Sequence, residues 1–269
     1  MFPGANADRA AAAYVIVGAP LDVSTSFQPG ARFGPDRIRR FARGFEDYDH
    51  HTGTHFTDLG VHDHGTVEAW DDARDYLEYL AGVLAEVRRD GAVPLLLGGE
   101  HTVSIAGVEA VDPDVFLTFD AHLDLRESLF GNEWSHSTVT RHALAVADRA
   151  VVLGARAGSE AEWDRSEAPD VTVVPPAQVP DWEPDFGTES VYVSVDIDAA
   201  DPAFAPGTGT KEPFGLDSST LRSALARVAP AMDGFDVVEV NDRDDGQAAT
   251  LAAKLLRTAV HRHTEPPRS

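Results

Sequence analysis

The chain has 269 residues, with 45 acidic and 22 basic side chains, eleven histidines and a formal charge of −23. That length allows a substantial core, and residues 1–269 are expected to form a single large α/β domain. The charge excludes nucleic acid as a partner, because nothing here neutralises a run of phosphates; no stretch reaches the roughly 18 to 20 apolar residues of a membrane helix; and the absence of cysteine excludes disulfides, thiolate metal sites and thiol nucleophiles.

Met1 to Ala13 lacks the basic start and long apolar run of an export signal. A cytoplasmic location is therefore expected. Acids are spread along the whole chain, and Lys211 and Lys254 are the only lysines. Such an evenly acidic, lysine-poor surface resembles that of proteins adapted to a salt-rich cytoplasm, where screening over a few ångströms makes the repulsion tolerable.

In chain order, Tyr14 to Val17, Val93 to Leu97, Val115 to Phe119, Val151 to Leu153, Val191 to Val195 and Phe235 to Val240 read as short buried strands. Helical patterns fall at Asp72 to Arg89, Ser137 to Ala147, Ser218 to Val228 and Ala248 to His263. Strands separated by helices imply a parallel sheet covered on both faces. The stretch Pro175 to Gly187 reads as a long surface connection, and no repeat or linker divides the chain.

Three strand ends carry the chemistry. Asp120, His122 and Asp124 follow the Val115 strand at spacings of two, which places them on one side if the backbone stays extended. By itself the triplet fits helix capping equally well. Asp196 and Asp198 repeat the spacing at the end of the Val191 strand, and buried acids in such numbers call for cations. Asp201, before Pro202, reads as a turn-former. Gly98-Gly99-Glu100-His101 follows a third strand; it lacks the Lys-Ser/Thr of a phosphate loop. In open α/β sheets ligands gather at the carboxyl ends of strands, so His101 can meet both acidic clusters. Four carboxylates and two imidazoles suffice for two ions if carboxylates bridge. Such a sulfur-free set favours Mn²⁺ or a similar ion over structural zinc, two per chain, with a hydroxide held between them.

These segments resemble the ureohydrolase (arginase/agmatinase) family over nearly the whole chain. The resemblance starts at Pro29-Gly30-Ala31-Arg32-Phe33-Gly34-Pro35 and runs through GGEH, DAHLD and SVDIDAADPAFAPGTGT to Val238-Glu239-Val240-Asn241. It implies a three-layer α/β/α sandwich with a mainly parallel sheet. It also implies one metal on His101, Asp120, Asp124 and Asp196, and a second on His122, Asp120, Asp196 and Asp198. Glu239 is then similar to the family's guanidinium-binding acid, and His136 to its proton-shuttling histidine. The implied reaction is hydrolysis of a guanidino group to urea and an amine, in a homo-oligomer of three or six chains.

Among substrates, arginine is disfavoured. Arginases carry an Asn where this chain has Arg126, and an Asp where it has Ser159. The SVDIDAADPAFAPGTGT segment is more similar to enzymes that make putrescine from agmatine, with guanidinobutyrate left open. Lys211 and Phe214 depart from the family pattern near the site. A deacetylase of the same fold would use a single zinc and would not keep all six ligands, and a non-catalytic subunit would have lost some. His50, His51, His55, His62 and His64 crowd an acidic stretch, but no strand end organises them, and they read as surface residues.

Overall fold

The computed structural model describes residues 1–68 and 70–264. In chain order the elements are β1 (Tyr14–Ala19), α1 (Gly34–Phe41), the short strands β2 (Tyr48–Asp49) and β3 (Thr54–His55), β4 (Val61–Thr66), α2 (Ala73–Arg89), β5 (Val93–Gly98), α3 (Ser104–Val111), β6 (Val115–Phe119) and α4 (Val139–Ala143). They continue with β7 (Arg149–Leu153), α5 (Glu160–Ser166), β8 (Val171–Val174), β9 (Val191–Asp196), α6 (Ser218–Val228), β10 (Met232–Val238) and α7 (Gln247–His263). Eight strands form one parallel sheet in the order β4-β1-β5-β10-β9-β6-β7-β8, while β2 and β3 pair as a separate hairpin.

Side-chain alternation explains why the central strands are continuous apolar runs. Leu95, Leu97, Leu117, Phe119, Val193 and Val195 join the core under α6 and α7, with Leu225, Leu255 and Leu256. Their neighbours Leu96, Phe116 and Tyr192 point the other way, into the core under α2 and α3. This is the three-layer α/β/α sandwich the sequence implies. No described helix is long and apolar enough to cross a membrane.

Besides the short hairpin strands β2 and β3, the elements β4, α5 and β8 escape the sequence pattern. The β4 strand is the instructive one, because its inward position is an acid. Arg39 of α1 supplies the counter-charge, its Nε and Nη2 reaching the Asp63 carboxylate at 2.9 and 2.8 Å, and the Phe2 amide donates to the same carboxylate. Burial works against the Asp63 charge, but the Arg39 guanidinium outweighs it and holds the carboxyl below its ordinary pKa. A depressed carboxyl contributes stability that is present at neutral pH and lost as pH falls through its folded-state value. Asp63→Ala strands a buried guanidinium and is expected to cost about 3 kcal/mol in chemical denaturation at pH 7. The gap from the wild type should narrow only below the ordinary carboxylate range; a gap that does not change with pH would remove the ion pair as its cause.

Among the boundaries that differ, two bear on the site. The stretch read as a helix from Ser137 to Ala147 is a single 3₁₀ turn at His136–Thr138 followed by the short α4. The last sheet strand ends at Val238 rather than Val240, because Glu239 adopts a left-handed backbone with φ of 62°. The Pro175 to Gly187 connection contains a 3₁₀ stretch, Pro176–Asp181.

Candidate metal centre and cleft

The four strands β5, β10, β9 and β6 are consecutive in the sheet, and every candidate ligand leaves one of their carboxyl ends. The chain passes from β5 to β6 before β9 and β10 fill the gap between them, so strand order reverses here and a crevice opens. At the end of β5 a Cβ on Gly99 would lie 2.0 Å from the Leu21 carbonyl oxygen. Only glycine permits the turn that carries Glu100 and His101 inward.

Two groups of potential ligands result, His101 with Asp120 and Asp124, and His122 with Asp120 and Asp198. His101 Nδ1 lies 2.9 Å from Asp124 Oδ2 and 3.1 Å from Asp120 Oδ2. His122 Nδ1 lies 3.0 Å from Asp198 Oδ2 and 3.6 Å from Asp120 Oδ1. Asp196 falls outside both groups, with Oδ2 3.7 Å from His101 Nδ1 and Oδ1 accepting the Asp198 amide at 2.9 Å. The extended path anticipated for Asp120 to Asp124 is not the observed one. The strand stops at Phe119, and Asp124 turns inward through a left-handed backbone with φ of 51°. Strain of this sort concentrates where function over-determines the backbone.

The donor set fits cations. Asp120 Oδ2 is buried without a hydrogen bond of its own. Burial, then the Asp120 charge, pushes Asp124 up to about 7; burial, then Asp198 and Asp120, raises Asp196 well above its ordinary value. Burial opposes charge on His101 and His122, yet the facing carboxylates outweigh it and raise both. The carboxylates thus draw positive charge to the two Nδ1 positions, a demand that protons or divalent ions can meet.

A buried chain behind His101, not anticipated from sequence, sets the orientation of its ring. Its Nε2 reaches Ser194 Oγ at 3.1 Å, Ser194 donates to Asp236 Oδ1 at 2.6 Å, and Tyr192 donates to Asp236 Oδ2 at 2.8 Å. Because the Ser194 proton goes to Asp236, Nε2 must donate and Nδ1 is left to face the acids. The available signal was an acid inside an apolar strand, Phe235-Asp236-Val237. Ser194→Ala removes that anchor and leaves two buried groups unpaired. Metal affinity is expected to drop about tenfold to a hundredfold, read by metal titration of the stripped protein. Unchanged affinity would leave the chain without an orienting role.

Glu239 stands beside the centre, its Oε1 accepting the His101 amide at 2.8 Å. Burial first, then the nearby Glu100 charge, pushes it up to about 8. Glu100, which the sequence offers only as part of GGEH, is fully buried, held by Ser24, Thr25 and Thr102, and burial pushes it up to about 7. His136 lines the same cleft of about 370 Å³ as His122 and Asp124, with Nε2 3.1 Å from Ser26 Oγ. Burial, then His122 and His101, pushes it down to about 4, so it is neutral at physiological pH.

The cleft wall also holds Arg126 and Glu212. Arg126 pairs with Glu162 at 3.2 Å, and Glu212 Oε1 lies 3.8 Å from His122 Nε2. Arg156 fixes this wall, donating to the carbonyls of Asp198 at 2.8 Å and Glu212 at 2.7 Å. Ser159 caps α5 together with Glu162. Lys211 donates to Gln28 and to the Thr208 carbonyl, while Phe214 points into solvent. Asp201 accepts the amides of Ala203, Phe214 and Gly215, the turn-forming role read from sequence. Of the histidine-rich stretch, no member joins a potential ligand group among the described residues.

A model of the Arginase family matches residues 12–261. The agmatinase of Pyrococcus horikoshii is 34% identical, over 90% of this chain and 89% of its own. A guanidinobutyrase of Pseudomonas aeruginosa is 35% identical, over 89% of this chain and 83% of its own. The crystal structure of the agmatine ureohydrolase of Thermoplasma volcanium superposes with a TM-score of 0.90 at 32% identity, covering 97% of this chain and 93% of that one. The chain belongs to the arginase family. It is an amidinohydrolase, an enzyme acting on C–N bonds of linear amidines, and within the family it resembles the agmatinases.

Proposed function

We propose that the protein hydrolyses agmatine to putrescine and urea with two manganese ions, held by His101, Asp120, Asp124, Asp196, His122 and Asp198. The observation that carries this reading is the convergence of two His/Asp groups sharing Asp120, with Glu239 at their edge. Four carboxylates and two imidazoles without sulfur suit Mn²⁺. When bound, the ions supply a water-derived nucleophile near neutral pH, which a resonance-stabilised guanidinium requires.

The chain's own residues do the rest. Glu239 offers its free oxygen to the guanidinium N–H groups and holds the carbon toward the ligand cluster. His136, neutral and set against Ser26, takes up a proton and returns it to the departing amine. Glu212 faces the cleft as a carboxylate for the distal ammonium of agmatine, while Glu162 neutralises Arg126 opposite. The functional form is a homo-oligomer of three or six chains.

Arg126 also favours a second reading. If it left Glu162, it would meet the carboxylate of guanidinobutyrate. Urea release from agmatine, guanidinobutyrate and arginine, in high salt with added Mn²⁺, separates the two. Preference for agmatine supports the first reading, preference for guanidinobutyrate replaces it with the second, and no urea from any of them overturns both.

A further inference from the structure

In a chain with 45 acids and 22 bases, basic side chains should find carboxylates easily. Most described arginines do, as Arg37 with Asp244, Arg149 with Glu189 and Arg165 with Asp170 show. A cavity of about 430 Å³ between the β2–β3 hairpin and helices α6 and α7 breaks this pattern. Arg222 of α6 and Lys254 and Arg257 of α7 converge on it, and none of the three forms an ion pair among the described residues. Lys254 Nζ sits 4.0 Å over the Phe45 ring, and Arg257 is held by the Asp47 carbonyl at 2.7 Å with its guanidinium over Phe56.

Two acids share the wall, and neither forms an ion pair with these cations, although the Asp49 charge is felt by Lys254 and Arg257. Asp49 Oδ1 is spent on its own turn, accepting the His51 and Thr52 amides at 2.8 and 3.1 Å. Glu46 is exposed at the rim. The cations still repel one another: burial first, then Arg257 and Arg222, hold Lys254 below its ordinary pKa, and the opposing charge of Asp49 only partly offsets them.

A second, independent sign comes from His261. It is only 2% exposed and lines the cavity; its Nδ1 meets Thr54 Oγ1 at 2.8 Å, and its Nε2 is buried with no partner. A buried ring nitrogen left bare beside unpaired cations is a position that a ligand completes.

We infer that this cavity is a binding site for a small multivalent oxyanion, inorganic phosphate or a phosphate monoester, with Arg222 and Lys254 as the charged contacts and His261 Nε2 as the buried one. Guanidinium and ammonium groups form charge-assisted hydrogen bonds to phosphate oxygens, and a monohydrogen phosphate can either donate to or accept from an imidazole nitrogen. The cavity wall shares no residue with the candidate metal centre or its cleft. The protein's net negative charge does not forbid such a ligand, because acids beyond a Debye length of about 8 Å are screened at physiological salt.

Isothermal titration with inorganic phosphate at constant potassium chloride tests this. The wild type is expected to bind one phosphate per chain saturably. Arg222→Gln combined with Lys254→Gln should raise the Kd about tenfold or more, the loss of at least one charge-assisted bond. Arg40→Gln combined with Arg74→Gln removes the same charge from exposed positions outside the cavity and should leave the Kd unchanged. His261→Phe keeps a ring against Phe56 but lacks Nε2, and should weaken binding as well; melting curves establish that each variant is folded. Absence of saturable binding in the wild type overturns the site. Binding kept in the Arg222/Lys254 variant places phosphate elsewhere, and equal loss in both double variants reduces it to net charge; either result also overturns it. Dissociation of an oligomer by the Arg222/Lys254 variant, without phosphate binding by the wild type, would make the cavity an interface between copies instead.

Discussion

Asp124→Ala is expected to abolish urea release, by at least about a thousandfold, and to lose bound metal with it. The reason is the convergence on His101 Nδ1. Asp124 Oδ2 is its nearest carboxylate at 2.9 Å, with Asp120 Oδ2 next at 3.1 Å. Stability should move the opposite way. In the metal-free protein Asp124 is a buried acid beside Asp120, and burial together with that like charge disfavours its ionised form. Removing it relieves the repulsion, so the metal-free variant should melt no lower than the metal-free wild type, while added Mn²⁺ should raise the melting temperature of the wild type only. Activity and metal content are measured on one preparation, and melting with and without the ion on another. Full turnover in Asp124→Ala would remove this residue from the ligand set. A metal-free variant that melted well below the wild type would make Asp124 a structural acid.

The sequence carried the parts of the site that are repetitive in physical terms. Apolar runs that end in clustered acids mark strand ends, and parallel topology gathers strand ends at one edge, so six ligand candidates could be named without coordinates. What stayed hidden depends on backbone choices that no residue type declares. Asp124 and Glu239 are left-handed although neither is glycine; spacing rules assume an extended path that both abandon. Asp236 was invisible for another reason. An acid inside an apolar strand reads as noise until Ser194 and Tyr192, close in space but more than 40 residues away in sequence, are seen to bond to it. The same holds for β4, whose inward acid makes sense only once Arg39 from α1 is placed beside it. Pairings across elements are the information a single chain pattern lacks.

Glu239→Gln should separate substrate binding from metal binding, because on the proposed reading the side chain does two things with two oxygens. Oε1 accepts the His101 amide at 2.8 Å and so braces the loop that carries a candidate ligand. A glutamine carbonyl can keep that bond, and the brace should survive. The lost negative charge is what a guanidinium would have paired with. Truncating one partner of a buried, hydrogen-bonded charge pair costs about 2 to 5 kcal/mol, so kcat/KM for agmatine should fall on the order of a hundredfold to a thousandfold. Metal content should be unchanged. The melting temperature should hold or rise, since burial first, then the Glu100 and Asp198 charges, disfavour the ionised form of Glu239. Metal lost together with activity would make Glu239 part of the ligand cluster rather than the substrate's partner. Retained kcat/KM would mean that the guanidinium is held elsewhere in the cleft, and Glu212 is the next carboxylate that could take it.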